Sequence, residues 1–336
     1  MFSTYTVKQC FLAPTLVIKY TTLRKSVIMT GGRRNNMLRN FEELAELVKA
    51  HPVKKRIVLC CAHDEHSLDA VYEAYKEGII EPVLVGKEDE IKKICAEEGF
   101  DFGDVTIYNV DDDIEAAKKA VELIREGKGD FLMKGKMQTS DLLRQVVNKE
   151  TGLQVGKIMS HFGLFQVPNY HKLVVLTDGG MNVQPDLETK VKIINNAVEV
   201  LHKLGYEDPK VAVLCGSEVL NKKAQESVDA AAIKEMWQNG EIPGCTIEGP
   251  ISYDIAFSKE IADFKKFESP VAGETDCIIM PSMVTGNCVG KSWTVSSDGR
   301  MTGIIVGAKV PVVLTSRGSG ADEKFYSIVL AAAATA

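Results

Sequence analysis

RIVLCCAHDEHSLDAVYEAYKEGIIEPVLVG, residues 56–86, decides the fold. Its first part, RIVLCCA (56–62), is a short apolar run of the kind that forms a buried strand. HSLDAVYEAYKEG (66–78) predicts a helix that stops at Gly78. EPVLVG (81–86) is again strand-like. Two strands joined by a helix of this length make a βαβ unit, and repetition of that unit makes a parallel sheet.

The unit does repeat. DEIKKICAEEG (89–99) predicts a helix, VTIYNV (105–110) a strand, DIEAAKKAVELIREG (113–127) a helix, DFLMKG (130–135) a strand and TSDLLRQVVN (139–148) a helix. Upstream, Phe41, Leu44, Leu47 and Val48 form a helical stripe with Asn40 as its cap. The rhythm breaks at KIMSHFGLFQVPNYHKLVVLTDGG (157–180), where strands follow one another without a helix. This reads as a crossing into a second domain. Helices then return at 188–205, 229–240 and 254–264, and strands at 210–216, 245–250, 275–283 and 303–316. No internal repeat or low-complexity stretch is present.

The chain has 336 residues, 45% hydrophobic and 26% charged, which suits a globular protein with a large core. That length favours two domains, since single cores rarely grow past about 250–300 residues. The net charge is −6, which argues against a nucleic-acid partner. Residues 1–36 carry six basic side chains and no acid, leaving −12 on the remainder. An anion site in such a body must be a local basic pocket. The first 36 residues show no periodicity. Gly31, Gly32, Arg33 and Arg34 fit a translated purine-rich ribosome-binding site, so the native start is expected at Met37. The eight cysteines lie mostly in apolar runs and form no CxxC, which predicts buried free thiols in a reducing, cytoplasmic setting. No apolar run approaches the roughly 20 residues that span a bilayer.

In open α/β sheets, ligands bind beyond the carboxyl ends of the strands, so the loops there are the candidates. VPVVLTSRGSGADEKFYSIVL (310–330) places Arg317 between a strand and a helix, with Ser319 and Asp322 spaced as a capping box. A guanidinium at a helix N-terminus makes an anion site suited to phosphate. MKGKMQT (133–139) places Lys134 and Lys136 after a strand, around Gly135, with Thr139 at a helix start. EGPISYD (248–254) needs no more than helix capping by Asp254. TGNCVGKS (285–292) misses a P-loop by one residue, and SWTVSSDG after it is a weak helix. Nucleotide hydrolysis is therefore rejected, with Gly286 and Asn287 kept as a backbone anion site. His63 and His66 in HDEH lack further clustered ligands, and no metal is expected there. GxGxxG is absent.

Taken in order, these segments resemble the phosphate acetyl/butyryltransferase family, most of all its phosphate butyryltransferase branch. The resemblance rests on FLMKGKMQTSDLLRQVVNKETGL (131–153), SHF (160–162), LTDGGMNVQPDLETK (176–190), EGPISYDIAFS (248–258), VAGETDCIIMPSMVTGNCVGK (271–291) and VVLTSRGSGADEKFYSI (312–328). It covers the chain from Met37 onward and implies two three-layer α/β/α domains of the isocitrate/isopropylmalate dehydrogenase-like kind, with the active site in the interdomain cleft. The expected domains are 37–165 plus 313–336, and 166–312, with 1–36 a non-native or disordered extension.

The implied reaction is butyryl-CoA plus phosphate giving butyryl phosphate plus CoA. It needs no tightly bound cofactor and no metal. The resemblance implies phosphate binding by Arg317, a hydrogen bond at the reacting centre from Ser316, and a base at Glu323 or its neighbour Asp322. It implies that Lys134, Gly135, Thr139, Gly286 and Asn287 line the substrate cleft. It further implies a homodimer or larger homo-oligomer, no membrane or nucleic-acid partner, and a pathway link to an acyl-phosphate kinase. Three alternatives share parts of this pattern: the same transfer on acetyl-CoA, a non-catalytic acyl-CoA-binding regulatory domain, and a metal-dependent dehydrogenase of the related fold. The last lacks the clustered acidic ligands it would require.

Overall fold

The computed structural model describes residues 37–315 and 320–335. The expected N-terminal extension, Ser316, Arg317, Gly318 and Ser319 lie outside the described residues.

The βαβ reading holds through the first half. α1 (Phe41–Lys49) is capped by Asn40, whose side chain accepts from the Glu43 amide at 2.8 Å. Then follow β1 (Lys55–Cys60), α2 (Glu65–Lys76), β2 (Ile80–Gly86), α3 (Glu88–Glu98), β3 (Thr106–Asn109), α4 (Asp113–Arg125), β4 (Phe131–Lys134) and α5 (Thr139–Val146). The helix-free stretch contains β5 (Ser160–Gln166) and β6 (Val174–Thr177), paired antiparallel. After it come α6 (Leu187–Lys203), β7 (Lys210–Leu214), α7 (Gln225–Gln238) and β8 (Thr246–Ile251). The helix expected over 254–264 is two, α8 (Tyr253–Phe257) and α9 (Lys259–Phe264), divided at Ser258, whose hydroxyl caps the second. Last come β9 (Cys277–Ile279), α10 (Met283–Ser296), β10 (Arg300–Val306), β11 (Val312–Val313) and α11 (Ala321–Ala334).

Among the described residues, eleven strands form one sheet in the order β3-β2-β1-β4-β11-β10-β5-β6-β9-β7-β8. Two parallel sets, β3-β2-β1-β4-β11 and β6-β9-β7-β8, flank an antiparallel centre. Helices cover both faces, as a parallel sheet buried on both sides requires. α11 carries an almost wholly apolar surface, Ile328 to Ala334, and packs on α1, α2 and β10.

α10 corrects one expectation. The segment TGNCVGKS is not a loop but the body of a helix, capped by the Ser282 hydroxyl on the Thr285 amide. Its pattern looks weak because small residues, Gly286 and Gly290, face inward where a helix ordinarily shows large apolar ones. A Cβ on Gly286 would stand 2.6 Å from the Asp178 carbonyl oxygen, so the close approach of helix to turn demands glycine.

Arg300 ties three elements together. Its guanidinium lies over the rings of Phe41 and Tyr326, at 5.2 and 5.0 Å. It bonds Asp322 through two nitrogens, at 3.0 and 2.8 Å, and Glu42 at 2.8 Å.

Candidate active site

Three parallel strands, β1, β4 and β11, end at one cavity of about 550 Å³. Asp64, His66 and Ser67 reach it from the turn after β1, and Asp113 from the start of α4. Lys134 to Gln138, with Asp141, reach it from the turn after β4, while Thr315 follows β11 and Lys324 comes from α11. This is the strand-end position at which α/β sheets bind ligands.

The turn after β4 is fixed by the backbone of its neighbour. The Gly135 amide donates to the Cys60 carbonyl at 2.7 Å and the Lys136 amide to the Cys61 carbonyl at 3.0 Å. A Cβ on Gly135 would stand 2.3 Å from the Cys61 oxygen, so only glycine fits. The Lys134 ammonium, buried, donates to the Gly135 carbonyl at 3.0 Å and to that of Met137 at 3.3 Å.

Most of the carboxylates at this cavity already have partners. Asp64 caps α2 through the Ser67 amide, and Asp141 pairs with Arg144 at 3.1 Å. Asp113 lies 3.7 Å from His63 Nε2. The cations are different. Lys136 is exposed, and Lys324, only 7% exposed, has no hydrogen bond or ion pair to its ammonium among the described residues. Both line the cavity, where an anion would lie beside them.

Lys324 is the residue that the loop-by-loop reading missed. Its signal was present: Lys324, Ser327, Ile328 and Ala331 follow a helical stripe, and all four are buried. A lysine on the apolar face of a helix must find either a partner or a ligand.

The expected site residues fall into distinct places. Lys134 and Gly135 line the cavity. Thr139 does not: it is the first residue of α5, exposed and outside the cavity wall, while its neighbour Gln138 is part of that wall. Ser316 and Arg317 lie outside the described residues, but Thr315 and Lys324, on either side of them in the chain, both line the cavity.

Asp322 and Glu323 separate. α11 is capped at Gly320, and Ser319, the first residue of the expected capping box, lies outside the described residues. The Asp322 carboxylate is held by Arg300 through both of its oxygens and is 56% exposed. Both oxygens are thus engaged by the guanidinium, and Asp322 is not part of the cavity lining. Glu323, one residue on, is half-buried.

Gly286 and Asn287 do not form a backbone anion site. The Gly286 amide donates to the Ser282 carbonyl at 3.0 Å inside α10, and Asn287 follows it as an exposed residue of the same helix. Gly286 packs on the TDGG turn instead. There the buried Asp178 carboxylate accepts from the amides of Gly180 and Met181, at 2.7 and 2.8 Å, and from Asn182 Nδ2 at 2.6 Å. His161, on β5, packs against Gly163, Gly180 and Gly303, and burial holds its imidazole below the usual histidine range, opposed by Asp178. His63 is lowered too, again first by burial. His66 stands exposed at the cavity, while His63 is buried.

A second cavity of about 1000 Å³ lies at the carboxyl ends of β6, β9, β7 and β8. Its charged lining is Asp186, Glu226 and Asp229 against Lys190, and Lys190 is already paired with Asp229 at 2.6 Å. Its lining is therefore richer in carboxylate relative to lysine than that of the first cavity, where Asp64, Asp113 and Asp141 face Lys134, Lys136 and Lys324.

Fold and cavity together define an α/β protein with a lysine-lined cavity at the strand ends. Residues 41–118 and 114–332 match the family described as phosphate acetyl/butaryl transferase, and the chain belongs to that family. It is similar to a phosphate butyryltransferase of Clostridium acetobutylicum, 43% identical over 296 residues, 88% of this chain and 98% of that protein. It is also similar to a phosphate acetyltransferase of Thermotoga maritima, 38% identical over 292 residues, 87% of this chain and 98% of that one. Among solved structures it resembles a branched-chain phosphotransacylase from Enterococcus faecalis, with a TM-score of 0.74 and 30% identity, covering 84% of this chain and 99% of that one.

Proposed function

We propose that the protein transfers an acyl group, butyryl in preference to acetyl, between CoA and inorganic phosphate: butyryl-CoA and phosphate give butyryl phosphate and CoA. The observation that carries this reading is the meeting of three lysines, Lys134, Lys136 and Lys324, in the lining of one cavity at the strand ends. Similarity to a phosphate butyryltransferase at 43% identity, against 38% for the acetyltransferase, supports the butyryl preference.

In this reading phosphate enters the cavity and meets Lys324 and Arg317. A phosphate oxygen attacks the thioester carbon, and the carbonyl oxygen gains charge that Ser316 meets with a hydrogen bond. Collapse of the tetrahedral intermediate breaks the carbon–sulfur bond and releases CoA. In the reverse direction the CoA thiol must lose its proton, and Glu323 is the base. No cofactor stays bound. The same proposal places 37–165 plus 313–336 and 166–312 in two domains. It also makes the protein a cytoplasmic homo-oligomer whose acyl phosphate passes to a kinase.

Phosphate-dependent release of free thiol from butyryl-CoA and acetyl-CoA, followed in parallel, tests the reading. Faster phosphate-dependent release from butyryl-CoA is the expected result. Faster release from acetyl-CoA would keep the mechanism and change the substrate. Binding of acyl-CoA without release would overturn catalysis in favour of a sensing domain.

A further inference from the structure

Behind the wall of the anion cavity lies a group of sulfur atoms that acyl transfer does not use. Cys60 ends β1, Cys61 follows it, and Met137 sits in the turn between β4 and α5. Cys60 Sγ lies 3.9 Å from Cys61 Sγ and 3.5 Å from Met137 Sδ, and Cys61 Sγ lies 3.8 Å from Met137 Sδ. Both cysteines are fully buried, and Met137 lines the cavity.

Consecutive side chains of a strand point to opposite faces. Two adjacent cysteines therefore do not ordinarily share a neighbour. Here Cys61 takes φ 56°, a left-handed conformation uncommon outside glycine, and its thiol comes beside the same methionine as that of Cys60. The amides of Gly135 and Lys136 then staple the two segments together. The resulting triangle is nearly equilateral. One point lies about 2.2 Å from all three sulfurs, close to the roughly 2.3 Å of a zinc–thiolate bond.

We propose that Cys60, Cys61 and Met137 form a trigonal site for a soft d10 cation, Cu(I) foremost. Thiolate and thioether donors select Cu(I). Zinc takes four ligands in structural sites, and among the described residues no group of three or more His, Cys, Asp and Glu side chains comes together. Binding replaces two thiol protons, which leave to solvent, and no electron moves. The complex carries one negative charge, next to Lys134, the register partner of Cys60 in the sheet. Its third ligand belongs to the turn that lines the cavity, so occupancy fixes that wall. This inference stands apart from the acyl-transfer reading.

Anaerobic titration of the full chain with Cu(I), supplied as its acetonitrile complex against a chromophoric Cu(I) chelator, tests the site. Wild type and Cys288→Ser are expected to bind one tight Cu(I) each. Met137→Leu and Cys60→Ala should weaken that event at least tenfold. Equal binding in wild type and Met137→Leu would overturn the proposal. Should Cys60→Ala not fold, X-ray absorption of the wild-type adduct decides: three sulfurs at about 2.2–2.3 Å support the site, and nitrogen or oxygen ligands, or two sulfurs only, refute it.

Discussion

Lys324 sits on the buried face of α11 and lines the cavity at the strand ends. Lys324→Met removes the ammonium and keeps the stem. Loss of a charge-assisted contact is worth about 1.5–3 kcal/mol, so KM for phosphate should rise roughly tenfold to a hundredfold. Stability should hold, because the methionine keeps the apolar stem packed on the buried face of α11. A measured drop in stability with phosphate KM unchanged would make the lysine structural. Two residues away, Asp322→Asn should leave turnover nearly intact and cost at most about 1 kcal/mol, the usual scale of an exposed ion pair. Glu323→Gln should slow turnover more. Steady-state kinetics on the two variants check the order. Lys134 and Gly135 were legible only through the resemblance of FLMKGKMQT to the family, because two lysines after a strand read equally well as a solvated loop. Lys324 was not, because a lysine inside an acid-rich helix start looks like solvated surface until its stripe is traced.

At the scale of elements, the strands and most helices follow from periodicity, since each buries one regular face. α10 escaped because its inward face is glycine, and glycine gives no apolar signal. Gly286→Ala should force α10 from the TDGG turn, with a loss of about 1–3 kcal/mol on the scale of overpacked sites. Gly135→Ala should do the same at the cavity wall and lower activity as well. Urea unfolding at equilibrium measures both, and an unchanged midpoint in either would show that the backbone yields there. The break at Ser258 was equally hidden, because its cap is a single hydroxyl within an otherwise continuous helical pattern.

Over the whole molecule, the buried histidines give stability a dependence on pH. His63 and His161 titrate below the ordinary value of about 6.5, first because both are buried. As pH falls below about 6.5, the unfolded chain takes up protons that the folded chain refuses, so stability decreases. It is fully present above that value and is lost on descent towards the lowered folded values, by at most about 1.4 kcal/mol per pH unit for each histidine. Denaturant unfolding at pH 7.5 and 5.5 tests this, and His63→Gln should flatten the slope. A slope unchanged by that substitution would assign it elsewhere.

The order of strands has a consequence for how the protein is made. β11 stands between β4 and β10, yet it is the last of the described strands in the chain. Until its residues leave the ribosome, β4 and β10 both present unpaired edges, and the half-made sheet has a slot at its middle. Synthesis at roughly 5–20 residues per second leaves the β4 edge open while everything after β4 is translated, and the β10 edge open only for the short segment between β10 and β11. Open edges of this kind recruit strands from other chains, so the nascent protein needs protection through that interval. A chain cut short before Pro311 would keep the slot permanently and should aggregate rather than fold.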